Sequence, residues 1–159
     1  MGETFPKIRA AAVDERAHNV FFRQTQLERL CKALIARTDE IQKAIAQDYG
    51  NTPSEIAVEV NLAIAAVRAD YASIQPVKAH EAEYSIAHGK DTVENRRPVG
   101  IVYIEPSTHT LFYSVTVPLS AAIAAGNCVI VLVCSDNISF CLTQPADHSI
   151  AGEQPSYSI

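Results

Sequence analysis

Over the first half of the chain, apolar positions return with a helical period. From Gln24 to Ala46, residues Leu27, Leu30, Cys31, Leu34, Ile35, Ile41, Ala44 and Ile45 recur at spacings of three and four, which predicts one amphipathic helix. Gly50, after Asp48 and Tyr49, is placed to end it. Thr52-Pro53-Ser54-Glu55 then joins a threonine N-cap, a proline at the first helical position and a glutamate three residues after the cap, the pattern of a capping box. The helix it opens carries Ile56, Val60, Ile64, Val67 and Tyr71 on one face. It stops at Gln75-Pro76, because the residue ahead of a proline is pushed out of the helical region. So short a connection predicts that the two helices pack as an antiparallel hairpin.

The period then changes. Tyr84 to Glu94 reads as two short alternating strands around His88-Gly89-Lys90, a β-hairpin. After Arg96-Arg97-Pro98, the β-branched run Val99 to Ile104 predicts a strand covered on both faces. Pro106-Ser107-Thr108 breaks that strand and offers helix caps, and the stretch from about His109 to Ala125 predicts a helix in which Pro118 makes a kink or a late start. Gly126-Asn127 closes it, and Cys128 to Val133 reads as a second buried strand. Residues 99–133 therefore form one βαβ unit with parallel strands and a right-handed crossover. The fold class is α/β: a helical hairpin, a short β-hairpin and one βαβ unit. Residues 1–135 are expected to make one domain, and 136–159, which lack any period, a poorly ordered tail.

Composition narrows the function classes. With 159 residues, 48% apolar and 19% charged, the chain fits one globular core. A net charge of −5, with no basic block larger than Arg96-Arg97, argues against nucleic acid or an anionic membrane as partner. Leu119 to Cys134, the longest apolar stretch, is broken by Ser120 and Gly126-Asn127 and is too short to span a bilayer. No secretory signal is read at Met1 to Arg9. The four cysteines, 31, 128, 134 and 141, form no CxxC pair and read as reduced thiols of a cytoplasmic protein. The five histidines are scattered, so no metal is expected, and no glycine-rich loop follows either strand.

Two stretches carry a family likeness. Arg97-Pro98-Val99-Gly100-Ile101-Val102-Tyr103-Ile104-Glu105-Pro106, followed by Pro118-Leu119-Ser120-Ala121-Ala122-Ile123-Ala124-Ala125-Gly126-Asn127-Cys128-Val129-Ile130-Val131, resembles the aldehyde dehydrogenase superfamily. The Tyr49-Gly50-Asn51-Thr52-Pro53-Ser54-Glu55 turn is most similar to the branch acting on fatty and aromatic aldehydes. The resemblance covers about residues 15 to 133 and implies a truncated, Rossmann-like fold matching only the N-terminal third or so of a full-length member. It departs at the chemistry. Where the family has an asparagine that helps form the oxyanion hole, this chain has Thr108, whose hydroxyl is one rotatable donor rather than a fixed amide. Where the family has a lysine that binds the cofactor ribose, this chain has Leu132. The stretches that would bear the general-base glutamate and the nucleophilic cysteine have no counterpart, so no nicotinamide cofactor and no stand-alone dehydrogenase activity is expected.

Ligands of a βαβ unit sit beyond the carboxyl ends of its strands. That edge holds Glu105, Ser107, Thr108 and His109 after the first strand and Cys134, Ser135 and Asp136 after the second, with Tyr113 four residues past His109. Glu105, His109 and Tyr113 form an acid–base set in unassigned order; Ser107, Thr108, Cys134, Ser135 and Asp136 are the substrate-binding candidates. A plain polar loop explains the same residues. A Ser107, His109, Asp136 triad lacks a nucleophile elbow, and Cys128, on the opposite edge, reads as packing.

The expected function is binding of a small apolar metabolite, with cofactor-independent isomerisation, dehydration or cyclisation as the chemistry. The alternatives are a non-catalytic interaction module and an inactive remnant. Exposed sheet edges, together with the family's use of such a hairpin in assembly, lead us to expect a homodimer, a larger homo-oligomer or docking on a full-length relative.

Overall fold

The computed structural model describes residues 4–90 and 97–132. Six helices, one 3₁₀ turn and two strands follow one another among them. They are α1 (Thr4–Val13), the 3₁₀ turn Arg16–His18, α2 (Val20–Ala36), α3 (Thr38–Tyr49), α4 (Pro53–Ser73), α5 (Pro76–Ala87), β1 (Ile101–Ile104), α6 (Leu111–Ala124) and β2 (Cys128–Val131). The described residues are thus mostly helical, with one small two-stranded parallel sheet.

The single helix expected over 24–46 is two. Asn19 caps α2 by accepting from the backbone N–H of Phe21 at 2.9 Å and of Phe22 at 3.1 Å. The helix breaks at Arg37 (φ −110°, ψ 19°), where the Thr38 hydroxyl reaches back to the carbonyls of Leu34 and Ile35, 3.0 Å from each. A side chain that bonds the carbonyls of the preceding turn competes with the helical ladder. The break lets the two segments aim at different cores. Leu27 of α2 packs with Val67 and Ile74, whereas Ile41 and Ile45 of α3 pack with Ile56, Val60, Ala63, Ile64 and Phe112. Leu34 touches both clusters, and α4 contributes to each, so α4 is the spine of the molecule.

The start of α4 is as expected. Gly50 ends α3, and in the capping box the Glu55 N–H donates to Thr52 Oγ1 while the Glu55 carboxylate accepts from the Thr52 N–H at 2.9 Å. Its buried face ends at Val67, and Tyr71 remains 39% exposed.

The expected β-hairpin is absent from residues 84–90, and its remainder, 91–94, lies outside the described residues. Tyr84 to Ala87 form the last turn of α5. Gly89, in the left-handed conformation (φ 72°), donates to Ile86 O, and Lys90 N–H donates to Ser85 O, both at 2.9 Å. Those two bonds make the helix stop known as a Schellman motif, in which glycine avoids the penalty a Cβ would meet at positive φ. α4 ends at Ser73, ahead of Gln75-Pro76 as expected, and Pro76 itself opens α5 at its first position, where its missing N–H costs no bond. No residue of α5 is buried, so helix propensity and caps decide its conformation rather than packing.

β1 and β2 pair in parallel, Ile101 with Cys128 through Ile104 with Val131, and α6 connects them with Pro118 inside it. The expectation of two doubly covered strands fails: Ile104 alone is buried, Tyr103 is 56% exposed and all of β2 is half-buried. The sheet is too small to be enclosed by α6 and α1, the helices that pack on it. Val133 and the expected tail lie outside the described residues.

The close of α6 locks this unit. Gly126 (φ 85°) donates to Ile123 O and Asn127 N–H to Ala122 O, a second Schellman stop. The buried Asn127 side chain accepts from Val99 N–H at 2.7 Å and Gly100 N–H at 3.0 Å, clipping the entry of β1 to the end of α6. Arg23 donates to Ala124 O at 2.7 Å, a cation at the negative end of the helix dipole. Burial pushes its pKa down from the usual guanidinium value, against the opposing pull of Glu83.

Candidate functional site

Between β1 and α6 the chain turns away from the sheet edge, because Pro106 and the following polar residues cannot continue a ladder. Glu105, Ser107, Thr108 and His109 are all exposed there, at the carboxyl end of β1. Three backbone anchors shape this loop. Ser107 N–H donates to Ser114 Oγ at 3.0 Å, His109 N–H donates to Ser107 Oγ at 3.3 Å, and Tyr113 N–H donates to the Glu59 carboxylate of α4 at 3.1 Å.

These bonds decide how the expected residues stand to one another. The helix starts at Leu111, so His109 precedes it and does not share a helix face with Tyr113. No hydrogen bond joins the side chains of Glu105, His109 and Tyr113 among the described residues; they are neighbours along one exposed loop and helix start, not a bonded cluster. Ser107 Oγ is engaged by the main chain of His109 rather than by its ring, which removes the serine–histidine part of a triad. Cys134, Ser135 and Asp136 lie outside the described residues.

Glu59 and Ser114 escaped the sequence reading. The only local hint was that the first turn of α6 contains no acidic residue of its own to meet the positive end of the helix. Cys128 is a half-buried free thiol whose pKa is pushed up by desolvation, as expected of a packing residue. Of the other histidines, His88 lies at the end of α5, its Nδ1 2.8 Å from Tyr84 O and its ring tilted 34° against that of Tyr84. His80 sits exposed beside Glu83.

Away from this loop, an open groove of about 320 Å³ runs between α3 and the start of α4, bordered by Asp39, Gln42, Lys43 and Asn51 over Ile56. None of the expected residues lines it. Among the described residues no three His, Cys, Asp or Glu side chains gather in a way that could hold a metal, and no helix is long and apolar enough to cross a membrane.

The profile of the aldehyde dehydrogenase family matches residues 5–142. Aldehyde dehydrogenase family 3 member B1 of Bos taurus is 32% identical over 138 residues, covering 80% of this chain and 28% of that protein. The protein of the same name from Mus musculus is 32% identical over 133 residues, covering 78% of this chain and 27% of its own length. No solved structure matches. The chain spans less than a third of the relatives it matches, and it belongs, as a partial chain, to the aldehyde dehydrogenase family.

Proposed function

We propose that this partial aldehyde dehydrogenase chain binds a small, fairly apolar metabolite at the loop 105–113 and performs cofactor-independent proton transfer on it, of the isomerisation, dehydration or cyclisation type. The observation that carries the reading is the anchoring of that loop: bonds from the backbone N–H groups of Ser107, His109 and Tyr113 to Ser114 Oγ, Ser107 Oγ and the Glu59 carboxylate fix its backbone, while the side chains of Glu105, Thr108 and His109 are exposed. A site works when its backbone is held before the ligand arrives. Glu105, His109 and Tyr113 then supply the base, the acid and the oxygen clamp, in an order left unassigned, and Ser107 and Thr108 the polar contacts. Cys134, Ser135 and Asp136, the other substrate-binding candidates, lie outside the described residues. The free thiols Cys31 and Cys128 support a cytosolic setting.

The family's dinucleotide does not fit these residues. Leu132 stands where the resemblance places the ribose-binding lysine; its backbone N–H is bonded to Ile104 O at 2.9 Å in register with the ladder, so an aliphatic chain without donors occupies the position. Thr108, exposed on the loop, replaces the oxyanion asparagine.

A second reading, an interaction module, is favoured by the sheet: Val99 is 87% exposed, Tyr103 56%, and β2 is half-buried along its length. Such strands gain from pairing or cover, supplied by a second copy or by a full-length relative. Native mass spectrometry of the purified chain, alone and with nicotinamide dinucleotides, separates the readings. One small apolar molecule per chain, lost from an E105Q/H109A/Y113F variant, is expected. Stoichiometric dinucleotide binding, or retention of the molecule by the triple variant, overturns the proposal, and a discrete dimer without small molecule transfers the function to the second reading.

A further inference from the structure

We infer that Glu59, on α4, is the positioning carboxylate of the 105–113 loop, so that this site is built by two helices and not by the strand edge alone. The inference rests on the reading of that loop as the site. The first intrahelical bond of α6 runs from Ser114 N–H to Thr110 O at 2.8 Å, which leaves the Tyr113 N–H without a main-chain acceptor. An N-cap side chain ordinarily takes that bond, but Thr110 makes none, and α6 has no acidic residue in its first turn. Glu59 Oε1 takes it instead, 3.1 Å away and 54 residues earlier in the chain.

Position and chemistry both favour this assignment. Glu59 lies one residue before Val60, which is buried in the cluster that also contains Phe112, so the segment of α4 that carries the carboxylate is packed against the start of α6. Glu59 is itself half-buried, whereas Glu105 is exposed and bonded to nothing among the described residues. A carboxylate on the N-terminal N–H of a helix also meets the positive end of its dipole. With Tyr113 held in this way and Ser107 held by Ser114, His109 is suspended between two anchors, one of them on a different element.

The test reads geometry and needs no knowledge of the metabolite. In the full chain, amide hydrogen exchange at Tyr113 and the carbethoxylation rate of His109 by diethyl pyrocarbonate, resolved by mass spectrometry, are compared for wild type, E59A, E59Q and E40A, the last an exposed glutamate of α3 outside the site. E59A is expected to speed Tyr113 exchange about tenfold and to change the His109 rate severalfold, with exposed His80 as internal reference. E59Q, whose amide oxygen still accepts, restores both to within about twofold, and E40A leaves both unchanged. Should E59A fail to fold, E59D, which withdraws the oxygen by one carbon, is expected to reproduce its effects. Unchanged exchange and His109 reactivity in E59A or E59D overturn the inference, as does an equal response to E40A. Retention of a ligand by the E105Q/H109A/Y113F variant counts instead against the site reading, so the two failures are distinguishable.

Discussion

Ser120, fully enclosed on α6, donates its hydroxyl to the carboxylate of Asp70 on α4, fifty residues earlier. With the Tyr113–Glu59 bond, it ties the two helices that pack most extensively, and Val117 O, 3.0 Å away, is the alternative acceptor for the same proton. S120A removes the donor while Asp70 keeps access to water, so we expect a loss of about 1–2 kcal/mol in urea unfolding. S120V should cost more, because it also adds volume in a closed space.

Gly126 is where the crossover unit should break most easily. A Cβ there would lie 3.0 Å from Pro98 Cγ and 3.1 Å from the backbone oxygen of Ala17, at a φ of 85° that L-residues avoid. G126A is expected to cost at least about 2 kcal/mol in unfolding free energy, combining left-handed strain with a clash against backbone. N127A should cost a similar amount by leaving the Val99 and Gly100 N–H groups without their acceptor, and N127D, which keeps an acceptor oxygen, should cost less.

Acid should weaken the capping box of α4. Hydrogen bonds from the Thr52 hydroxyl and the Thr52 backbone N–H hold the Glu55 carboxyl below its ordinary range. A depressed folded-state pKa contributes stability that is present above the unfolded carboxyl pKa and is lost as pH falls through the folded value. The urea midpoint of wild type should therefore drop more steeply on acidification than that of E55Q. Parallel curves would show that the box contributes no pH dependence.

Cys128 should be a slow nucleophile. Burial raises its thiol pKa, so little thiolate exists at neutral pH. Alkylation by iodoacetamide at pH 7 is expected to be slower than that of an unfolded peptide of the same sequence, and equal rates would place the thiol in solvent.

The candidate residues were legible as types and as a location, but not as a geometry. Glu105, Ser107, Thr108 and His109 do fall together at the carboxyl end of β1, since a strand that meets Pro106 must turn out at that edge. The relation of His109 to Tyr113 depended on α6 beginning at Leu111, and the Glu59 carboxylate that the Tyr113 N–H meets there has no local pattern linking it to residue 113. The hairpin expected over 84–94 failed for a related reason: Tyr84-Ser85-Ile86-Ala87 alternates like a strand, yet a strand needs a partner, whereas a capped helix satisfies its own backbone.

What the sequence by itself determined was whatever rests on local bonds and short-range steric limits: the capping box at Thr52, the stop at Gly50, the end of α4 before Pro76, and the strand–helix–strand order of 101–131. The family likeness, too, lies in contiguous motifs. Tertiary structure alone decided the division of one periodic stretch at Arg37 between two cores, the open state of both strands and the carboxylate that meets the start of α6. Each of those depends on which surfaces far apart in the chain come to face each other, and hydrophobic burial, being non-directional, writes no partner into the pattern that drives it.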